Sequence, residues 1–173
     1  MSKRRASNPD PSRRTLWAPW RGRFIRQGAA ATRRCIFCRH PRARHGRRRW
    51  ILHRRRLAFS LLNLYPYNNG HLMVAPYRHV AALSALTREE LVDCWELAAH
   101  CERLLQRVLH PHGYNIGINL GRTGGAGFAS HLHIHIVPRW HGDTNFLPVV
   151  GGAKVISESL AELYRRLRDA DTH

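Results

Sequence analysis

Lysine is almost missing from this chain. Lys3 and Lys154 are the only lysines among 29 basic residues, and an arginine bias of that kind often reflects base composition rather than function. Acidic residues are scarce as well, and the scarcity is local. Residues 1–56 hold 19 basic residues and one acidic residue, whereas residues 57–173 hold ten of each. The formal charge of +18 therefore resides in the first third, and the remainder has the balance of an ordinary soluble domain. No apolar run approaches the roughly 20 residues that span a bilayer. The stretch Met1–Arg14 lacks the apolar segment of a signal peptide. The expectation is a cytoplasmic protein with no membrane partner. Four cysteines without an export signal argue against a disulfide framework. No second Cys-x-x-Cys accompanies Cys35-Ile36-Phe37-Cys38, which excludes a self-contained zinc ribbon. No internal repeat is visible.

What is present is enough for one core: 173 residues, 43% of them hydrophobic. Residues 1–34 read as a basic arm with Pro9, Pro11 and Pro19, anchored by Trp17 and Trp20. Residues 35–150 read as the folded domain, and 151–173 as an extension with a helix opening near Ser157. Polyanion attraction, and nucleic acid as a partner of the arm, stay open on charge alone.

Trp50–His53 and Leu57–Leu62 form a predicted hairpin around Arg54–Arg56, and Gly70–Ala75 a third strand stopped by Pro76. Thr87 and Glu90 make a capping box for a helix over Thr87–Leu109. Leu91, Cys94, Trp95, Ala98, Cys101, Leu105 and Val108 recur along it at helical spacing. Tyr114–Leu120 and His131–Pro138 are strands joined through the glycine-rich loop Gly121–Gly127. Strand runs interrupted by one helix favour an α+β domain with a mainly antiparallel sheet.

The chemistry concentrates in His131-Leu132-His133-Ile134-His135-Ile136-Val137-Pro138. Alternation along a strand puts the three imidazoles on one face and the aliphatic residues on the other. A histidine-lined solvent face is a poor use of three imidazoles on a half-buried strand. Convergence of all three on one ion is limited by reach, since the first and third lie about 13 Å apart at roughly 3.3 Å per residue. Three separate roles fit better. A glycine-rich loop beside them exposes backbone N–H groups that can cradle phosphate. The Cys35/Cys38 pair can be two small buried residues, a redox pair, or half of a zinc site.

This pattern resembles the histidine triad (HIT) nucleotide-binding superfamily. It includes Gly70-His71-Leu72-Met73-Val74-Ala75-Pro76 and the Tyr114-Asn115 to Asn119-x-Gly121 strand. Val137–Phe146 and the Gly-Gly-x-Lys-Val segment after it are similar to the bacterial branch containing diadenosine tetraphosphate phosphorylases. The resemblance implies a HIT-like fold with a five-stranded sheet, a long helix and a C-terminal helix. It also implies cleavage of dinucleoside polyphosphates at the α-phosphate, with inorganic phosphate or water as acceptor, or cleavage of a nucleoside phosphoramidate. A zinc-stabilised nucleic-acid-binding protein is the alternative. Under the resemblance His133 is the nucleophile, His135 a donor to phosphoryl or bridging oxygens, and His71 the histidine supporting the nucleophile. Asn63 corresponds to a ribose contact, and Asn119, Gly125, Gly127, Ser130 and Trp140 to further nucleotide contacts. Many members carry Gln or Ser where this chain has Gly127. Some members hold a structural zinc through residues matching Cys35, Cys38, His79 and His131. The family usually forms homodimers through the long helix and a sheet edge.

Overall fold

The computed structural model describes residues 35–39, 50–143 and 156–171. The arm with Trp17 and Trp20, the basic loop before Trp50, and the segment 144–155 with Asn145, Phe146 and Lys154 lie outside the described residues. The elements are α1 (Ile36–Arg39), β1 (Ile51–Arg54), β2 (Ala58–Leu62), β3 (Leu72–Pro76), α2 (Arg88–Leu109), β4 (Gly113–Ile118), β5 (Ile134–Arg139) and α3 (Leu160–Asp171). The strands form one antiparallel sheet in the order β1-β2-β3-β5-β4, the expected α+β architecture.

Alternation sorts the sheet's side chains into two layers. Ala58, Leu62, Leu72, Val74, Ile134 and Ile136 pack against Cys94, Leu97, Ala98, Cys101, Leu104 and Leu105 of α2 and Leu163 and Leu167 of α3. Phe59, Leu61, Met73 and Ala75 face the other way, against Ile51 and Phe37. One irregularity breaks the alternation. Ile51 opposes Leu61 but His53 opposes Ser60, so Leu52 is an extra residue in β1, and the bulge turns His53 onto the helix side.

The helix starts where its local chemistry dictates. Glu90 N donates to Thr87 Oγ1 at 3.2 Å and Thr87 N donates to Glu90 Oε2 at 2.9 Å, a complete capping box. Arg78 holds the same carboxylate through Nε and Nη2. The core stripe differs from the sequence reading at Trp95, which is 46% exposed, while Leu97 and Leu104 are buried. Trp95 follows Cys94 by about 100° of helical rotation and so leaves the buried face. Burial pushes the thiols of Cys94 and Cys101 up to about 12, in keeping with a packing role.

Strand limits shift because pairing, not composition, ends a strand. Pro76 and Pro138 lie inside β3 and β5, where a proline carbonyl can still accept. The third strand begins at Leu72 because Gly70 turns at φ +76°. A Cβ there would come within 2.6 Å of Leu109. The expected strand over His131–Pro138 pairs only from Ile134, since β4 ends opposite at Ile118. His131–His133 lead into the strand outside it, held by Leu132 N to Val80 O at 2.7 Å. The fourth strand spans Gly113–Ile118 rather than Tyr114–Leu120, and the last helix opens at Leu160 rather than near Ser157.

Replacing Thr87 with Ala should lower unfolding free energy by about 1 kcal/mol with an unchanged denaturant slope. Urea unfolding with the wild-type midpoint would show that the cap contributes nothing.

Candidate active site and metal centre

The pairing of Met73 with His135 sets the ring of His71, just before β3, beside that of His135. His71 Nε2 and His135 Nδ1 are 2.9 Å apart. Their protons follow from the backbone outward. The Tyr67 N–H donates to His71 Nδ1 at 3.0 Å, and Asn63 Nδ2 lies 3.3 Å from the same atom. His71 Nδ1 is thus the acceptor, and the one proton of a neutral ring sits on Nε2 and is donated to His135 Nδ1. His135 then carries its own proton on Nε2. Asn119 Nδ2 lies 3.4 Å from that atom. Burial keeps His71 neutral, pushing it down to about 3, and repulsion from His135 and His133 adds to the effect.

His133 is fixed in the complementary tautomer. Its Nδ1–H donates to the His131 carbonyl at 2.8 Å, which leaves the lone pair on Nε2. Burial lowers its pKa, and its ring stacks on Phe37 at 4.7 Å between centroids. The His133 and His135 rings lie 4.8 Å apart. One face of the strand therefore presents a neutral imidazole with a free lone pair beside an imidazole with an outward N–H. That is a nucleophile next to a donor for developing negative charge. His71 is hydrogen-bonded to His135, the donor, rather than to His133, which the resemblance would have it support.

The first histidine has a different environment. His131 Nδ1 lies 3.4 Å from Cys35 Sγ, 3.6 Å from Cys38 Sγ and 3.3 Å from His79 Nδ1, and Cys38 Sγ lies 3.2 Å from His79 Nδ1. These are close to the edges of a tetrahedron whose centre sits at ordinary zinc–sulfur and zinc–nitrogen distances, roughly 3.3–3.8 Å long. His131 Nε2–H donates to the Pro76 carbonyl at 2.9 Å, which turns the Nδ1 lone pair toward the thiols. Burial pushes His131 down to about 4 and so keeps it neutral. The four groups form a set able to hold a metal ion.

The remaining candidates are placed less centrally. Asn63 spends its Oδ1 on the Tyr65 N–H at 3.0 Å and its Nδ2 on His71. Gly125 turns at φ +86°, but its N–H and that of Ala126 already donate to the carbonyls of Arg122 and Gly121. Those two amides are occupied within the loop rather than offered to a phosphate. Gly127 and Ser130 are exposed, and Trp140 lies half-buried past the end of β5. Phe37 and Tyr67 were missed. Phe37 stacks on His133, and Tyr67 packs against both His71 and His135, at 4.6 and 5.7 Å. No local sequence pattern distinguishes either from a core aromatic.

Residues 49–142 match the family model described as HIT domain. The chain is 46% identical over 117 residues to an AP-4-A phosphorylase of Mycobacterium tuberculosis, covering 68% of this chain and 60% of that one. It is 36% identical over 83 residues to a bis(5'-adenosyl)-triphosphatase of Dictyostelium discoideum, covering 48% and 55%. The chain thus spans about 60% of the length of the first of these relatives. Among solved structures it is similar to a Zn-bound histidine triad family protein from Mycobacterium smegmatis. The TM-score is 0.63 at 25% identity, covering 79% of this chain and 91% of that one.

The depressed pKa of His71 has a defined sign. Between about 3 and the ordinary 6.5 the unfolded chain binds the proton and the folded chain does not. This contribution to stability is complete above that window and falls as pH drops through it. The slope of unfolding free energy against pH near about pH 5 should flatten in His71→Gln. In the wild type the His71 ring should keep its neutral NMR signature there; a ring titrating at its ordinary value would contradict this.

Proposed function

The chain belongs to the HIT domain family, and from that premise we propose that it cleaves dinucleoside polyphosphates of the diadenosine tetraphosphate type at the α-phosphate. The observation carrying this reading is the tautomer pair on one strand, His133 with its lone pair on Nε2 and His135 with its proton there. The names of the relatives supply the substrate class.

In the proposed reaction His133 Nε2 attacks the α-phosphorus, and the bond to the bridging oxygen breaks. The departing nucleotide oxygen accepts a hydrogen bond from His135 Nε2–H as its charge develops. The imidazole then carries the nucleotidyl group, which phosphate or water removes. His71 acts through His135 by holding its tautomer, and Asn63 and Tyr67 act through His71. Gly125, Gly127, Ser130, Asn119 and Trp140 remain our assignment for nucleotide contacts. Phosphorolysis of diadenosine tetraphosphate would release ADP with ATP, whereas hydrolysis would release AMP with ATP.

We assign zinc to Cys35, Cys38, His79 and His131, on the strength of the donor set and its spacing. Four protein ligands leave no open coordination position, so the ion's part is structural. It ties α1, and with it Phe37, to the histidine strand. A homodimer through α2 and the edge strand β4 is supported by Val92, Trp95 and Ile116, large apolar side chains left 41–48% exposed there.

His133→Ala should reduce turnover roughly 10³-fold or more, while His135→Ala retains a measurable rate because the covalent route survives. Product analysis with and without phosphate identifies the acceptor. Near-wild-type turnover by His133→Ala would refute the mechanism. Separately, Cys38→Ser should lower bound zinc by one ion per chain and lower the unfolding temperature. Unchanged zinc content would refute that assignment.

A further inference from the structure

The helix-covered face of the sheet carries a second group of ligating side chains, which nothing in the reaction above uses. His53 from β1, His100 from α2 and Asp171 at the end of α3 converge there. His53 Nε2 lies 2.7 Å from Asp171 Oδ2, His100 Nε2 lies 2.8 Å from Asp171 Oδ1, and the two Nε2 atoms are 3.1 Å apart. The bulge at Leu52 makes this possible, because it sets His53 opposite Ser60.

We propose that His53, His100 and Asp171 form a second metal site, for a borderline transition dication such as Zn²⁺, which fastens α3 to the sheet and to α2. Proton counting supports it. His53 Nδ1 lies 2.8 Å from the Oγ of buried Ser60. Where Nδ1–H donates to that oxygen, Nε2 keeps a lone pair, facing a carboxylate oxygen and a second imidazole nitrogen. If one Nε2 alone carries a proton, the other sets its lone pair against Asp171. If both carry one, two N–H groups lie side by side 3.1 Å apart with no attraction between them. With both lone pairs inward, a cation among the three atoms satisfies every contact. The Ser60 contact then becomes the outer hydrogen bond that metal-bound histidines commonly make.

Distance agrees with this, and the donor set narrows the ion. Ligand atoms on a tetrahedral zinc are about 3.3 Å apart, within several tenths of an ångström of the observed 2.7–3.1 Å. The side chains of His53 and Asp171 are 12% and 17% exposed and that of His100 is 38% exposed, so the group opens to solvent on one side for a water ligand. The adjoining cleft is lined by Arg54, Arg55, Arg103 and Arg168, with Glu96 as its acidic member. That surplus of positive charge repels any dication, and a site with one carboxylate and two imidazoles supplies too little oxygen charge to hold Mg²⁺ or Ca²⁺ against it. It leaves ions that bind imidazole nitrogen by a coordinate bond.

The test is metal analysis of the full-length protein equilibrated with zinc chloride and passed through a desalting column. His100→Gln changes a half-exposed helical residue, and Asp171→Ala changes the end of α3, so neither removes a core contact. Each should hold one zinc fewer per chain than the wild type, whereas Cys38→Ser should retain this ion. Cobalt bound at the site should show d–d absorption without a thiolate charge-transfer band, and His100→Gln should abolish that signal. Equal zinc content in wild type, His100→Gln and Asp171→Ala would overturn the proposal and leave a carboxylate clamped by two N–H donors. Zinc lost on replacing His100 but not Cys38 would instead overturn only the Cys35/Cys38/His79/His131 assignment.

Discussion

Three antiparallel pairs, Leu72 with Ile136, Met73 with His135 and Val74 with Ile134, join the β1-β2-β3 meander to the β4-β5 hairpin. Among the described residues this is the only seam between the two halves of the sheet, and it makes two things happen at once. Leu72, Val74, Ile134 and Ile136 form a continuous apolar surface for α2. On the reverse side His71 meets His135. Slipping the seam by one residue would turn the β4-β5 half over relative to the meander, taking Ile134 and Ile136 off the helix side and setting His135 under the helix. The packing that stabilises the fold is therefore what fixes the alignment of the histidine rings.

Burial then gives those rings their chemistry. An imidazole in water samples two tautomers and a cation near neutral pH. Here desolvation disfavours the cation at His71 and His133, and neighbouring groups choose the tautomer: the Tyr67 amide for His71, His71 for His135, the His131 carbonyl for His133. The choice at each ring is made by a backbone group or by the ring before it, so it costs no reorganisation when substrate arrives. Phe37 closes one side of His133 from α1, a helix of four residues that is too short to persist by itself. Its position relies on the side chains that bracket it, Cys35 and Cys38, and on the apolar layer formed by Phe59, Leu61 and Met73.

How legible this was depended on the range of the interaction. The capping box at Thr87 and Glu90 is made by residues three apart, and it could be read directly. So could the hairpin around Arg54–Arg56 and the alternation that separates His133 and His135 from Ile134 and Ile136. Strand ends were misplaced because they depend on where a distant partner stops, as Ile118 does opposite Ile134. Trp95 was assigned to the core because apolar character alone does not say on which side of a helix the neighbours lie. The role of Phe37 stayed hidden because its ring partners, His131 and His133, are more than ninety residues away in the chain. Asp171 is 118 residues from His53, and nothing near either one marks the contact.

The bulge in β1 is a matter of parity. Along a strand the side on which a residue emerges depends on whether an even or an odd number of residues precedes it, so substitution changes what a side chain is and never which layer it enters. Leu52 alters the count by one. Were Leu52 paired regularly with Ser60, His53 would fall opposite Phe59 and emerge beside Ile51, Phe59 and Leu61, among apolar side chains, and Asp171 and His100 would face each other across the helix layer with no third member. Deleting Leu52 would leave Ile51 opposite Leu61 and His53 opposite Ser60 in regular pairing, so a chain without the extra residue keeps both side chains on their faces and aligns with this one through a gap at Leu52.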